Sequence, residues 1–132
     1  MMAKKNEQLE KELERKEKIE SEVKRLKKLY KGFPKVKKDA LDGLINESAF
    51  MKAMLEETRL DILSKGMFEI FEQGSQRFER ERPSVKTYST LIQKYATVQK
   101  QLIDILPPEE QKKETDELAE FMKKSKEMKT KC

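Results

Sequence analysis

Residues Pro83 to Leu106, PSVKTYSTLIQKYATVQKQLIDIL, constrain the fold more than any other stretch of the chain. Val85, Tyr88, Leu91, Ile92, Tyr95, Leu102, Ile103 and Leu106 recur at helical spacing and share one face. Pro83 stands in a first-turn position, where its missing N–H has no helical partner to lose. Pro107 and Pro108 close the run, the first by biasing Leu106 away from helical geometry. Lys86, Lys94, Lys100 and Asp104 lie mostly off the apolar face. The pattern predicts a helix ~36 Å long, the packing spine of whatever else the chain builds.

The segments before the spine are read from their punctuation. Residues 1–31 alternate charges of both signs, with many (i, i+4) pairs such as Glu7–Lys11 and Glu20–Lys24. They predict a charged, largely exposed helical arm. Ile19, Val23, Leu26 and Tyr30 follow a 4, 3, 4 spacing, so a coiled-coil seam fits there and not before it. Gly32-Phe33-Pro34 breaks the helix. From Asp39 to Gly66 the chain is helical again. Asn46-Glu47-Ser48 allows two readings: a turn with Ser48 capping a second helix, as a helix-turn-helix reader of DNA needs, or the interior of one longer helix.

Residues 67–82 read as a β-hairpin turning at Gly74-Ser75, with glycine at the first central position of a type II′ turn. That register pairs Phe71 with Phe78, Glu72 with Arg77 and Glu69 with Arg80, all good cross-strand neighbours. A helix is the competing reading. After the prolines, Leu118, Phe121 and Met122 form one small apolar patch in a charged tail. It is either a disordered tail or a segment that docks in a partner's groove.

The expected fold is mainly α. It has a helical core of about three helices, a small β-hairpin insertion, a long charged N-terminal helix and a mobile C-terminal tail. The divisions are 1–31 (arm), 32–106 (core, with the hairpin at 67–82) and 107–132 (tail). A core confined to about Leu26–Leu106 is small, and association of copies is the usual supplement. Tyr88, Leu91, Ile92, Tyr95, Phe71 and Phe78 are the expected oligomer-interface residues, and Leu118, Phe121 and Met122 the expected partner-docking ones.

Charge narrows the function. The formal charge is +5, but residues 1–38 hold 14 Lys/Arg against 7 Asp/Glu, so the basic excess is N-terminal. Lys24, Arg25, Lys27, Lys28, Lys31, Lys35, Lys37 and Lys38 form a dense basic cluster, the candidate contact to nucleic-acid phosphates. The chain has no histidine and no phosphate-binding or dinucleotide motif. Its only cysteine, Cys132, can form no internal disulfide. No catalytic residue, metal or cofactor is expected. Neither is a membrane span, since no apolar run is long enough. The chain reads as a non-enzymatic protein that binds or assembles.

The middle of the chain resembles the small terminase subunits encoded by phages of Gram-positive bacteria. The residues that carry the resemblance are Gly43-Leu44-Ile45, Ala49-Phe50-Met51, Leu55, Gly66 and Gln73-Gly74, then Pro83-Ser84-Val85-Lys86-Thr87-Tyr88, Ile92, Tyr95, and Gln101-Leu102 through Leu106-Pro107. They span about Leu29 to Pro107, a little over half the chain. The resemblance implies a ring-like homo-oligomer that recognises double-stranded viral DNA. It also implies transfer of that DNA to a terminase large subunit, which holds the ATPase and nuclease, in the host bacterial cytoplasm. The competing expectation is a small helical or coiled-coil adaptor that binds only protein.

Overall fold

The computed structural model describes the backbone of residues 2–130 and the side chains of residues 5–124; the Cys132 thiol lies outside the described residues. The element order is α1 (Met2–Leu29), α2 (Lys35–Lys65), β1 (Phe68–Gln73), β2 (Gln76–Glu81), α3 (Pro83–Asp104) and α4 (Pro108–Thr130). The fold is mainly α with one small antiparallel hairpin, as the sequence predicts.

Consecutive helices run antiparallel. Arg15 meets Glu57, Lys52 meets Glu22 and Lys27 meets Asp42 along α1 and α2. Ser48 meets Gln99 and Arg59 meets Tyr88 along α2 and α3. Asn46-Glu47-Ser48 lies inside one continuous α2. The helix-turn-helix reading is therefore corrected. Ser48 is not a cap but a fully buried side chain that accepts a hydrogen bond from the Gln99 amide. The physical reason is apolar continuity: Ile45, Ala49, Met51 and Leu55 all face α1 or α3, and a turn would remove that face from the core.

Two apolar clusters make the core. One joins Met51, Leu55 and Ile62 of α2 to Tyr88, Ile92 and Tyr95 of α3 and Phe121 of α4. The other joins Leu26 and Tyr30 to Ile45, Leu102 and Leu106, and Val98 packs against both. The spine helix begins at Pro83 as predicted and ends at Asp104. Its stripe is largely used up within the chain, which corrects the interface expectation for Tyr88, Ile92 and Tyr95. Tyr88, Ile92 and Tyr95 are 1%, 4% and 3% exposed and present nothing to a second copy. Leu91 is half-buried against the same cluster.

The arm divides in two. Leu9 and Leu13 are exposed, but Leu26 and Tyr30 are buried, with Ile19 and Val23 half-buried. The Ile19–Tyr30 seam is filled by this chain's own α2 and α3 rather than by a coiled-coil partner. The tail is also drawn in, as α4. Phe121 packs against Tyr95 with tilted rings, centroids 5.2 Å apart, and Leu118 and Met122 pack on the same cluster. The patch expected to dock on a partner therefore seats on α3.

The hairpin forms in the predicted register, Phe71 opposite Phe78, Glu72 opposite Arg77, Glu69 opposite Arg80. Gly74 has φ +60° and no non-glycine residue among those described has positive φ, so Ser75 does not, and the turn is the II′ kind. Arg82 fixes the hairpin's base, donating to Asp61 at 2.6 Å and to the Gly66 carbonyl at 2.9 Å.

Candidate nucleic-acid interface

The basic cluster folds into a corner. α1 ends at Leu29 and α2 begins at Lys35, joined by the turn through Gly32-Phe33-Pro34. Tyr30 locks that corner to the core. Its hydroxyl donates to the Leu102 carbonyl at 2.6 Å, and its ring meets Phe33 edge-on, 5.3 Å away. Burial, helped by the charges of Glu114 and Glu110, pushes the Tyr30 phenol up to about 12, so it stays a donor at any physiological pH. The aromatic residues that interrupt the lysines are thus anchors.

Six lysines are displayed on this anchored corner: Lys24, Lys28, Lys31, Lys35, Lys37 and Lys38 are all exposed. Lys24 and Lys28 lie on the side of α1 away from Leu26 and Tyr30. Lys27 is exposed too, but pairs with Asp42 at 3.4 Å. Lys27, Lys31 and Lys38 come together around one shallow pocket whose acidic members are Asp39 and Asp42.

The start of α2 is the unusual part. Its cap is Pro34, with no side-chain capping bond, and its first turn has no acid. Lys35, Lys37 and Lys38 instead stand at a helix end that already carries about half a positive charge, an arrangement that costs about 0.3–1 kcal/mol per charge. An anion at this end satisfies the free N–H groups and the lysines together.

Arg25 is only half-exposed and is not free for a ligand. Its guanidinium turns inward to Glu22 at 2.7 Å, Glu114 at 2.7 Å and Glu117 at 3.1 Å. The hydrogen bond to Glu22 is the main reason its pKa is raised. It is a structural clamp among α1 and α4, not a free cation. The sequence holds a hint of this, since Glu22 and Arg25 stand three residues apart just before Leu26, beside the seam. The remote acid could not be read.

A second, smaller basic patch lies outside the predicted cluster. Lys86 and Lys94, with Pro83, Thr87, Thr90 and Leu91, line a shallow groove on the outer side of α3. Their spacing off the apolar stripe was the available signal. Of the apolar interface candidates, Phe71 carries the Arg80 guanidinium over its ring at 4.1 Å, and Phe78 is exposed. No described helix is long and apolar enough to cross a membrane.

No protein family, curated protein or solved structure matches the chain.

Proposed function

We propose that the chain is a non-enzymatic, DNA-binding small subunit of a viral genome-packaging terminase. In this reading it works as a homo-oligomeric ring in the host bacterial cytoplasm and passes double-stranded DNA to a large ATPase-nuclease subunit. The carrying observation is the uncapped start of α2, where Lys35, Lys37 and Lys38 crowd a positive helix end beside exposed Lys24, Lys28 and Lys31. Phosphates relieve that crowding. The resemblance of residues Leu29 to Pro107 to terminase small subunits supports the packaging role.

Such a contact reads backbone charge rather than base edges. The test is DNA retention across a salt series, comparing the wild type with a Lys35→Glu, Lys37→Glu, Lys38→Glu variant. The expected wild-type affinity falls steeply with salt, and the variant's slope is shallower by about 0.9 for each phosphate it no longer neutralises. Equal binding by both proteins, or no retention by the wild type at low salt, sinks the reading.

The second reading, a helical adaptor that binds only protein, is favoured by Leu9 and Leu13. These are 56% and 54% exposed on the outer half of α1. It predicts no DNA retention at any salt, and loss of a protein partner when both leucines become Glu.

A further inference from the structure

The hairpin leaves two sheet edges open, and the two are complementary to each other. The Arg82 N–H donates to the Met67 carbonyl at 2.8 Å, one step below the strands. Counting by twos from that pair makes Glu69–Arg80, Phe71–Phe78 and Gln73–Gln76 the hydrogen-bonded pairs. The backbone groups of Phe68, Ile70 and Glu72 therefore point out from β1, and those of Arg77, Glu79 and Glu81 point out from β2.

Little of the molecule covers these edges. β2 is exposed along its length, and the strands pack chiefly on each other. Phe68 and Ile70 are 54% and 60% exposed. A lone two-stranded ribbon is marginal in water, and an apolar open edge is a template for another strand.

We infer that the hairpin is a self-association surface, on which the β1 edge of one copy takes the β2 edge of the next and continues the sheet. Charge and register select this occupant. Antiparallel addition in the hairpin's own register sets the outward groups of residues 68, 70 and 72 against those of residues 81, 79 and 77 in the next copy. The same register faces Glu69 with Arg80, Glu72 with Arg77 and Phe71 with Phe78 across the join. Those are the pairs that hold the hairpin itself, at 2.8 Å, 3.2 Å and 5.2 Å between ring centroids.

The other joins are poorer. Two β1 edges meeting about a two-fold axis face Glu69 with Glu69 when Phe68 meets Ile70; their other registers, like the head-to-tail join, set an apolar residue against a glutamate. Like charges directly opposite are unfavourable. Two β2 edges match Arg77 with Glu79 but leave the apolar β1 edge bare in both copies. The head-to-tail join alone covers both edges of every copy with a single kind of contact. This inference names the assembly surface for the packaging reading, yet it stands on hairpin geometry. DNA retention and association therefore fail independently.

The test uses the full chain and two edge-blocking variants. Ile70→Pro removes an outward N–H from β1, and Glu79→Pro removes one from β2; neither N–H is used within the hairpin, and proline is tolerated on edges. Measured by light scattering, the wild type is expected well above 15.6 kDa. Each variant alone is expected at 15.6 kDa, and their equimolar mixture at twice that, because each supplies the edge the other lacks.

A monomeric wild type, a mixture that stays monomeric, or association by either variant alone overturns the proposal. Association of Ile70→Pro alone would point to paired β2 edges, and that of Glu79→Pro alone to paired β1 edges. Hydrogen exchange on the wild type guards against a misfolded variant. The amides of residues 68, 70, 72, 77, 79 and 81 should slow as concentration rises, and free exchange at every concentration overturns the proposal too.

Discussion

Arg25 of α1 reaches Glu114 of α4 across 89 residues of sequence, Nη1 to Oε1 at 2.7 Å, while the same guanidinium holds Glu22 on its own helix. Glu114 and Glu22 are 5% and 9% exposed, so one half-buried cation serves two buried acids. Lys52 gives Glu22 a second partner at 3.3 Å. Removing Arg25 strands Glu114 more completely than Glu22. Arg25→Ala should destabilise the fold by about 2 kcal/mol, discounted from the roughly 3–5 kcal/mol of a fully buried pair because a third of the side chain stays in water. Urea unfolding measures this. An unchanged midpoint would show that α4 is not held by the clamp.

The same acids set the response to pH, with opposite signs. Burial pushes Glu22 up, but the Arg25 hydrogen bond and the Lys52 charge outweigh it, and its pKa is lowered. Its stabilisation is present above the ordinary carboxylate value and is lost as pH falls through the lowered one. Burial of Glu114 wins over Arg25, and its pKa is raised. Ionised Glu114 therefore costs stability above its raised pKa, and the cost vanishes once pH drops below the ordinary value. Glu57 and Asp61, lowered chiefly by hydrogen bonds from Arg15 and Arg82, behave like Glu22. Relative to Glu114→Gln, the wild type should gain melting temperature on mild acidification. Both should then lose it in stronger acid, with Glu22→Gln losing less. Parallel pH profiles for wild type and Glu114→Gln would contradict this assignment.

These two acids show where the sequence was readable. The spine helix and the hairpin register are local patterns: an apolar stripe between prolines, and three complementary pairs around Gly74-Ser75. Long-range choices carry no such signature. Leu118, Phe121 and Met122 look the same in sequence whether they meet another protein or, as here, Tyr95 and α3. Arg25 sits among lysines and differs from them only through Glu114, which folding brings near. Tyr88, Ile92 and Tyr95 do share one face, but which surface a face meets depends on how many helices compete for it. Here α2 and the tail take it, through Leu55, Ile62 and Phe121. For the candidate site, the exposed lysines were legible from charge. Their setting, an uncapped helix start locked by Tyr30, needed the fold.

Gly74 carries the turn. Its φ of +60° is a conformation that L side chains rarely adopt, though open space surrounds the position. Gly74→Ala should cost about 1–2 kcal/mol locally, with Gly74→Asn recovering part of it. Because the hairpin stands largely apart from the helices, the cost should appear as faster exchange of the Phe71 and Phe78 amides rather than as a lower global melting temperature. A drop in global stability of the same size would mean the hairpin folds as one unit with the core.

Ser48 and Gln99 form the only side-chain pair in which both partners are buried and neither is charged among the described residues, the Gln99 amide donating to the Ser48 hydroxyl between α2 and α3. Truncating one partner leaves the other without a hydrogen bond in an apolar seam, which costs about 1–3 kcal/mol. Replacing both with apolar groups removes the penalty. Ser48→Ala and Gln99→Leu should each destabilise the protein, and the double variant should be more stable than the sum of the two predicts. The coupling from a double-mutant cycle measures the pair directly. Additive costs would mean that a water or another group replaces the missing partner in each single variant. Destabilisation of the double variant beyond the sum would mean that the pair fixes helix register as well as satisfying its own atoms.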